Sequence, residues 1–265
     1  MAPNANQNPI STQLRKLFLS GMAETLEVRL QQAKEGQWPY DEFLSRLLED
    51  EVERRAQKQL AGRLKRAGLE SAKTLEAFQF SFNPEIPRRQ VLELATCSFI
   101  QKKRNVVLCG PTGVGKTHLA QAIGHQACRM GLEVWLVAAE QLLRQLHGGR
   151  ADGSFERRLR TTLKPDLLIL DEFGLKSMRS PAPEDLYEVI RGRYEKGSIL
   201  VTTNKAPSEW AGLFLEPLLA SAALDRLLDQ AEVLVIQGPS YRSRNRQRYD
   251  TVRFDEEEGR LSPQS

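Results

Sequence analysis

The 265 residues predict an α/β fold, a parallel sheet flanked by helices and preceded by a small all-helical domain. Three observations predict it. From Val106 onward, apolar runs of strand length alternate with amphipathic stretches of helix length. Leu167-Leu168-Ile169-Leu170 is unbroken apolar, as a strand buried on both faces of a parallel sheet requires. Between the first strand and the helix after it, Gly110, Gly115, Lys116 and Thr117 fill the pattern G-x-x-x-x-G-K-S/T. Such a loop delivers backbone N–H groups to an anion at a helix N-terminus.

Residues 1–10 are polar and expected to be disordered. From Ser11 the pattern turns helical, with Leu14, Leu17, Phe18, Met22 and Leu26 at spacings of three and four. Gly36-Gln37-Trp38-Pro39 breaks that helix. The next begins with Asp41 and Glu42, where the helix dipole favours acids. Phe43, Leu44, Leu47, Leu48 and Val52 form its expected apolar face, and Gly68 looks like its C-cap. Its second half carries Arg54, Arg55, Lys58, Arg63, Lys65 and Arg66, which suit either a solvated face or a DNA-contacting helix. Residues 11–68 are thus assigned to a helical N-terminal domain, and residues 69–87 to a hinge. Within the hinge, Phe78, Phe80 and Phe82 alternate as in a short extended segment packed on the core.

Residues 88–240 carry the sheet domain. A helix is expected over 88–100, then strand, loop and the helix 116–130. Further strands are expected at 133–137, 166–172, 198–204 and 232–237, with helices at 139–147 and 183–194. Residues 147–153 read as flexible, and 154–164 as a short, strongly basic stretch. The segment 241–265 is basic, then acidic, and expected to be mobile.

A net charge of +4 and a pI near 9.0 permit a nucleic-acid partner without requiring one. No apolar run approaches the roughly 18 residues of a membrane span, and the N-terminus lacks the layout of a signal peptide. Cys97, Cys109 and Cys128 form no C-x-x-C pair, which fits reduced thiols and a cytoplasmic setting. The three histidines are scattered and suggest no metal cluster.

The chemistry concentrates at strand ends. Gly110, Pro111, Thr112, Gly113, Val114, Gly115, Lys116, Thr117 and His118 are the expected nucleotide contacts. Lys116 would reach the β- and γ-phosphates, and the Thr117 hydroxyl would ligate Mg²⁺. Asp171 and Glu172 emerge where open α/β sheets place their ligands. Asp171 suits the Mg²⁺ shell and Glu172 the polarisation of an attacking water. Asn204, ending the 198–204 strand, suits the orientation of that water. The set describes a Mg²⁺-dependent ATPase.

These landmarks resemble the AAA+ ATPases and, more closely, the IstB-like family, ATP-binding helpers encoded beside the transposase in bacterial insertion sequences. The carrying residues are GPTGVGKTHLA at 110–120, LLILDEFG at 167–174, LVTTN at 200–204, LDRLL at 224–228 and GPSYR at 238–242, with WPYDEFLSRLLEDE at 38–51. The resemblance implies an arginine finger at Arg226, offered to a neighbouring subunit, and a second-sensor arginine at Arg242. It implies little or no lid domain. It also places a DNA-binding insertion after the second strand, where Arg144, Arg150, Arg157, Arg158, Arg160 and Lys164 lie. That cluster is poor in the Asn and Gln that read bases, so duplex DNA would be held largely without regard to sequence. The implied partners are DNA, further copies of the chain and a transposase of the same element. A helicase loader is the alternative that shares the ATPase core. A small-molecule kinase is disfavoured, because Asp171, Glu172 and Arg226 point to water as the acceptor.

Overall fold

A computed structural model of the chain describes residues 8–214 and 216–242, in two compact units that divide between Lys65 and Arg66. The expected disordered and mobile segments fall largely on residues 1–7 and 243–265, outside the described residues.

The first unit is built from α1 (Pro9–Lys16), α2 (Ser20–Gly36) and most of α3 (Tyr40–Ala67). Helix therefore begins inside the segment expected to be disordered, because the Asn8 side chain accepts from the Ile10 N–H and Pro9 occupies the first turn. Gln37, in a left-handed conformation at φ +49°, ends α2. Leu14, Met22, Ala23, Leu26 and Leu47 form the core, with Leu19, Leu30 and Phe43 packed on it. Of the stripe expected on α3, only Phe43 and Leu47 meet this core. Leu44, Leu48 and Val52 are exposed, because α1 and α2 cover a single arc of α3.

A buried acid joins α3 to α2. Glu51 is 5% exposed, and its carboxylate accepts from the N–H groups of Gly21 at 2.6 Å and Met22 at 3.3 Å. These are free donors of the α2 N-terminus, where a negative charge is favoured. Burial opposes its ionisation, yet Arg55 and the two N–H groups hold the carboxyl below its ordinary pKa. Within the basic half of α3, Arg54 pairs with Glu24 and Arg55 with Glu51, so neither is a free cation.

The second unit contains α4 (Arg88–Ala95), α5 (Ser98–Gln101), β1 (Val106–Cys109), α6 (Lys116–Arg129), β2 (Val134–Ala138), α7 (Ala139–Ala151) and α8 (Phe155–Leu163). It continues with β3 (Leu167–Phe173), α9 (Ala182–Arg193), β4 (Ser198–Thr203), α10 (Pro217–Leu228) and β5 (Glu232–Val235). The strands are all parallel, in the order β2-β3-β4-β1-β5. Side-chain alternation divides them between two faces. Val107, Leu168, Leu170, Ile199 and Val201 pack with Leu142, Leu186, Val189 and Leu227 of α7, α9 and α10. On the opposite face Ile169 meets α6, closely enough that a Cβ at Gly124 would lie 3.0 Å from it. Among the described residues no helix is long and apolar enough to cross a membrane.

Four local expectations need correction. Residues 69–87 lie within the second unit and are bound to α6. The Glu70 N–H donates to Gln121, and the His118 and His125 rings bond the carbonyls of Thr74 and Glu70 at 2.9 Å. Phe80–Phe82 there forms a 3-10 turn, not an extended segment. The helix expected over 88–100 breaks at Cys97, whose φ is +57°. Finally, α7 runs on to Ala151 through two glycines. Packing overrides propensity here: a Cβ on Gly149 would lie 3.0 Å from Phe155 and Arg158 of α8.

At the end opposite the loop of glycines, Arg193 is 1% exposed and closes the floor of the sheet. Its guanidinium donates to the carbonyls of Thr162, Leu163, Pro165, Asp166 and Ser198 at 2.8–3.3 Å. It thus satisfies the C-terminus of α8 and the entries to β3 and β4 together. Burial pulls its pKa down to about 10, still far above neutrality. Arg193→Ala leaves buried carbonyls without a donor. It is expected to lower the free energy of unfolding by about 3 kcal/mol, measured by urea denaturation. A loss under about 0.5 kcal/mol would mean that these carbonyls have other partners.

Candidate nucleotide site

β1 ends at Cys109, and the chain turns through Gly110 to Gly115 into α6. Two of these glycines are required by close approach. A Cβ on Gly110 would lie 1.9 Å from the Ile236 carbonyl oxygen. One on Gly113, where φ is +87°, would lie 2.0 Å from Ser240 Oγ. The segment following β5 therefore lies directly against the loop, and the Tyr241 N–H donates to the Gly113 carbonyl at 2.9 Å.

Lys116 is 7% exposed and turned into the loop. Its Nζ donates to the carbonyls of Gly110 and Pro111 and to Asn204 Oδ1, at 2.7–2.8 Å. Burial pulls its ammonium below the ordinary lysine pKa, and Asp171 opposes that shift. Asn204 also donates through Nδ2 to the Thr112 hydroxyl at 3.0 Å. The loop, the start of α6 and the end of β4 are thus one hydrogen-bonded group.

Asp171 and Glu172 sit at an irregularity of β3. Leu170 pairs with Val201 and Phe173 with Thr203, so Asp171 and Glu172 together stand opposite Thr202 alone. Glu172 takes up the extra residue with a φ of +57°. Alternation resumes beyond it, and Phe173 packs edge-on against Trp210 with ring centres 4.8 Å apart. Thr117 Oγ1 donates to Asp171 Oδ1 at 2.9 Å, and the Thr202 hydroxyl donates to the same oxygen. Thr202 Oγ1 also accepts from the Glu172 N–H at 3.0 Å.

A cavity of about 450 Å³ opens beside these groups. Thr112 to His118, Glu172, Asn204 and Arg242 line it together with Phe78, Gln79, Phe82 and Tyr241. Phe78 meets the His118 ring edge-on at 5.0 Å, and Phe82 meets Tyr241 at 4.9 Å. The buried Asn83 ties both segments together through its bond to the Gln237 carbonyl at 2.6 Å. The lining fits a nucleoside triphosphate: it offers cations and N–H groups for phosphates and flat apolar rings for a base. The adjoining hydroxyl of Thr117 and carboxylate of Asp171 are an all-oxygen set of the kind Mg²⁺ takes.

The expected nucleotide contacts are therefore brought together, and so are Glu172 and Asn204. Arg226 is not among them. It lies outside its own chain's cavity, with its guanidinium bonded to the Ala222 carbonyl at 2.7 Å and 5.6 Å from the Tyr187 ring centre.

The six basic residues expected to form one surface are divided. Arg150 bonds the fully buried Asp185 and stacks on Phe155 at 4.2 Å. Arg158 is held by Ser154, Asp152 and the Gln145 carbonyl. Lys164 pairs with Glu133, just before β2 begins, whereas Arg144 borders a second cavity with Glu172 at the other end of the sheet. Arg157 and Arg160 are exposed. That second cavity, about 480 Å³, also has Lys176 and Arg179 on its rim. Lys176 and Arg179 fall in no motif of the sequence, and Thr202 is marked there only by its place in LVTTN, two residues before Asn204.

Comparison with known proteins now bears on this site. The family of IstB-like ATP binding proteins matches residues 12–249. An insertion-sequence ATP-binding protein of Mycobacterium tuberculosis is 42% identical over 234 residues, covering 88% of this chain and 93% of that protein. The insertion sequence IS21 ATP-binding protein of Pseudomonas aeruginosa is 38% identical, covering 89% of each. Among solved structures, AMPPCP-bound DnaA from Aquifex aeolicus superposes with a TM-score of 0.54 at 19% identity, over 71% of this chain and 59% of that one. This last likeness concerns the fold alone. With the family match spanning nearly the whole chain, the protein belongs to the IstB-like ATP-binding proteins of insertion sequences.

Proposed function

We propose that this ATP-binding protein hydrolyses ATP with Mg²⁺, assembles with further copies on duplex DNA, and serves a transposase of the same element. The single observation that carries the catalytic part is the meeting of Thr117, Asp171, Glu172 and Asn204 around the phosphate loop. Support for the transposition setting is that relatives 38–42% identical belong to insertion sequences.

In this reading the loop N–H groups and Lys116 bind the β- and γ-phosphates, so Lys116 exchanges its loop carbonyls for phosphate oxygens. Thr117 and Asp171 would hold Mg²⁺, which when bound would supply positive charge beside those phosphates. Glu172 accepts a hydrogen bond from the attacking water, and Asn204 orients it. Arg242, which also lines the cavity, adds a second cation. Phe78, Phe82 and Tyr241 receive the base.

Lys116→Ala is expected to lose nucleotide binding, and Glu172→Gln to keep binding while turnover falls at least about 100-fold. Binding of a fluorescent ATP analogue and phosphate release measure the two separately. Undiminished turnover in Glu172→Gln would overturn the hydrolytic assignment.

DNA contact is assigned to the exposed Arg157 and Arg160 of α8, with Arg144 as a further candidate. Arg150 and Arg158 serve the fold. Arg157→Glu with Arg160→Glu is expected to weaken duplex binding by about tenfold or more and to flatten its salt dependence, while thermal stability stays unchanged. Measured by fluorescence anisotropy across salt concentrations, an unaltered slope would remove these residues from the interface.

Arg226, lying outside its own cavity, is assigned to the γ-phosphate of a neighbouring subunit. A positioned arginine there is worth roughly 10³- to 10⁵-fold in rate. Arg226→Ala and Lys116→Ala should each be nearly inactive alone. Mixed, they should regain part of the ATPase activity where an intact site meets an intact arginine. No recovery from folded, assembled mutants would exclude action between subunits.

A further inference from the structure

Strand β4 carries a buried hydroxyl whose position the ladder alone does not explain. Thr202 is 1% exposed, between Val201, which belongs to the core, and Thr203. Its partner on one side, β1, is in regular register, with Leu108 opposite. On the other side β3 presents two residues to it. The bulge takes the Glu172 N–H out of the regular ladder, and a part-buried donor of this kind is destabilising unless it finds an acceptor. The Thr202 hydroxyl is that acceptor, at 3.0 Å, and it passes its own proton toward Asp171 Oδ1. A hydroxyl offers one donor and two acceptor positions, so a single side chain serves both acids.

The consequence concerns both carboxylates. Asp171 Oδ1 receives Thr117 and Thr202 together, which fixes the plane of its carboxylate. Glu172 is held by its backbone in the left-handed region, a conformation that disfavours any residue with a Cβ and persists only where its surroundings impose it. The same bulge lets Phe173 return to the core beside Trp210, while Glu172 stays exposed at the cavity. The neighbouring Thr203 hydroxyl donates to the Phe173 carbonyl at 2.9 Å, pinning the far side of the bulge without touching either acid.

We propose that Thr202 is a positioning residue that sets the Mg²⁺-holding carboxylate of Asp171 and the water-facing carboxylate of Glu172 through one hydroxyl. This deepens the hydrolytic reading of the site and rests on it. Groups that orient a metal ligand are typically worth 10- to 100-fold in metal affinity or activity. Valine matches threonine in shape and β-branching and removes only the hydroxyl, so Thr202→Val isolates its role. Serine keeps the hydroxyl and is the rescue.

The test uses the full-length chain and two readouts. The first is the Mg²⁺ concentration that half-saturates enhancement of fluorescent ATP-analogue binding, which needs no turnover. The second is kcat and KM for MgATP. Thr202→Val is expected to raise the Mg²⁺ half-saturation and to lower kcat, each about 10-fold or more, with metal-free nucleotide binding within about twofold of the parent. Thr202→Ser should return both values to within about threefold. Thr203→Val serves as the comparison for a lost buried hydroxyl, and should lower the melting temperature without moving the Mg²⁺ half-saturation. If Thr202→Val lowers only the melting temperature, or if serine fails to rescue, the proposal is overturned. Should Thr202→Val not fold, Thr202→Ser alone still decides: parental Mg²⁺ dependence supports the proposal and a 10-fold shift contradicts it. The hydrolytic reading fails separately, if Glu172→Gln keeps its turnover while Thr202→Val still shifts the Mg²⁺ dependence of binding.

Discussion

Two residues of β3 stand opposite one residue of β4, and the acidic edge of the site depends on that mismatch. In a regular ladder Glu172 would follow Leu168 and Leu170 onto the face covered by α7, α9 and α10. A carboxylate there would be buried among apolar side chains. The bulge gives that place to Phe173 instead and leaves Glu172 exposed beside the phosphate loop. The adjoining carboxylate of Asp171 keeps its alternation and stays on the face of α6, where Thr117 reaches it. One added residue thus separates two neighbouring acids into different environments while keeping both at the same strand end. The local conformation is unfavourable in itself, and the Thr202 hydroxyl answers the N–H that it frees.

The phosphate loop is completed by segments far from it in the chain. Residues 78–83 precede it and residues 236–242 follow β5, yet they meet across its cavity through Phe82 and Tyr241, and through Asn83 and Gln237. Both also press on the loop, where Ile236 and Ser240 leave no room for a Cβ at Gly110 or Gly113. A ligand held there contacts groups separated in sequence by nearly the whole described length of the second unit.

Charge in this protein is divided between holding the fold and facing solvent. Arg193 closes five carbonyls, Arg150 and Arg158 fasten α7 to its neighbours, and Glu51 caps α2 from another helix. Arg150 and Arg158 lie in a stretch whose composition reads as a binding face. Lys164 and Arg144, close in sequence, end at opposite ends of the sheet, because α7 descends from β2 and α8 leads back to the start of β3. The basic residues along α7 and α8 therefore do not all share one surface.

The sequence by itself determined the fold class, the five strands and the chemistry of the loop. Those features rest on local rules: apolar runs make buried strands, and glycine with lysine and threonine at fixed spacing makes a phosphate cradle. It also marked Asp171, Glu172 and Asn204, because a parallel sheet puts strand ends on one edge. The tertiary structure alone decided what depends on contacts distant in sequence. It showed that residues 69–87 belong to the nucleotide unit, since their bonds run to α6 and to the segment after β5. It broke the expected helix at Cys97 and extended another through Gly148 and Gly149, where packing on α8 outweighs helix propensity. It separated structural from free arginines, because an ion pair has no signature until its partner is in place. And it revealed Thr202, whose role exists only because a register slip leaves one N–H of β3 to be answered from β4.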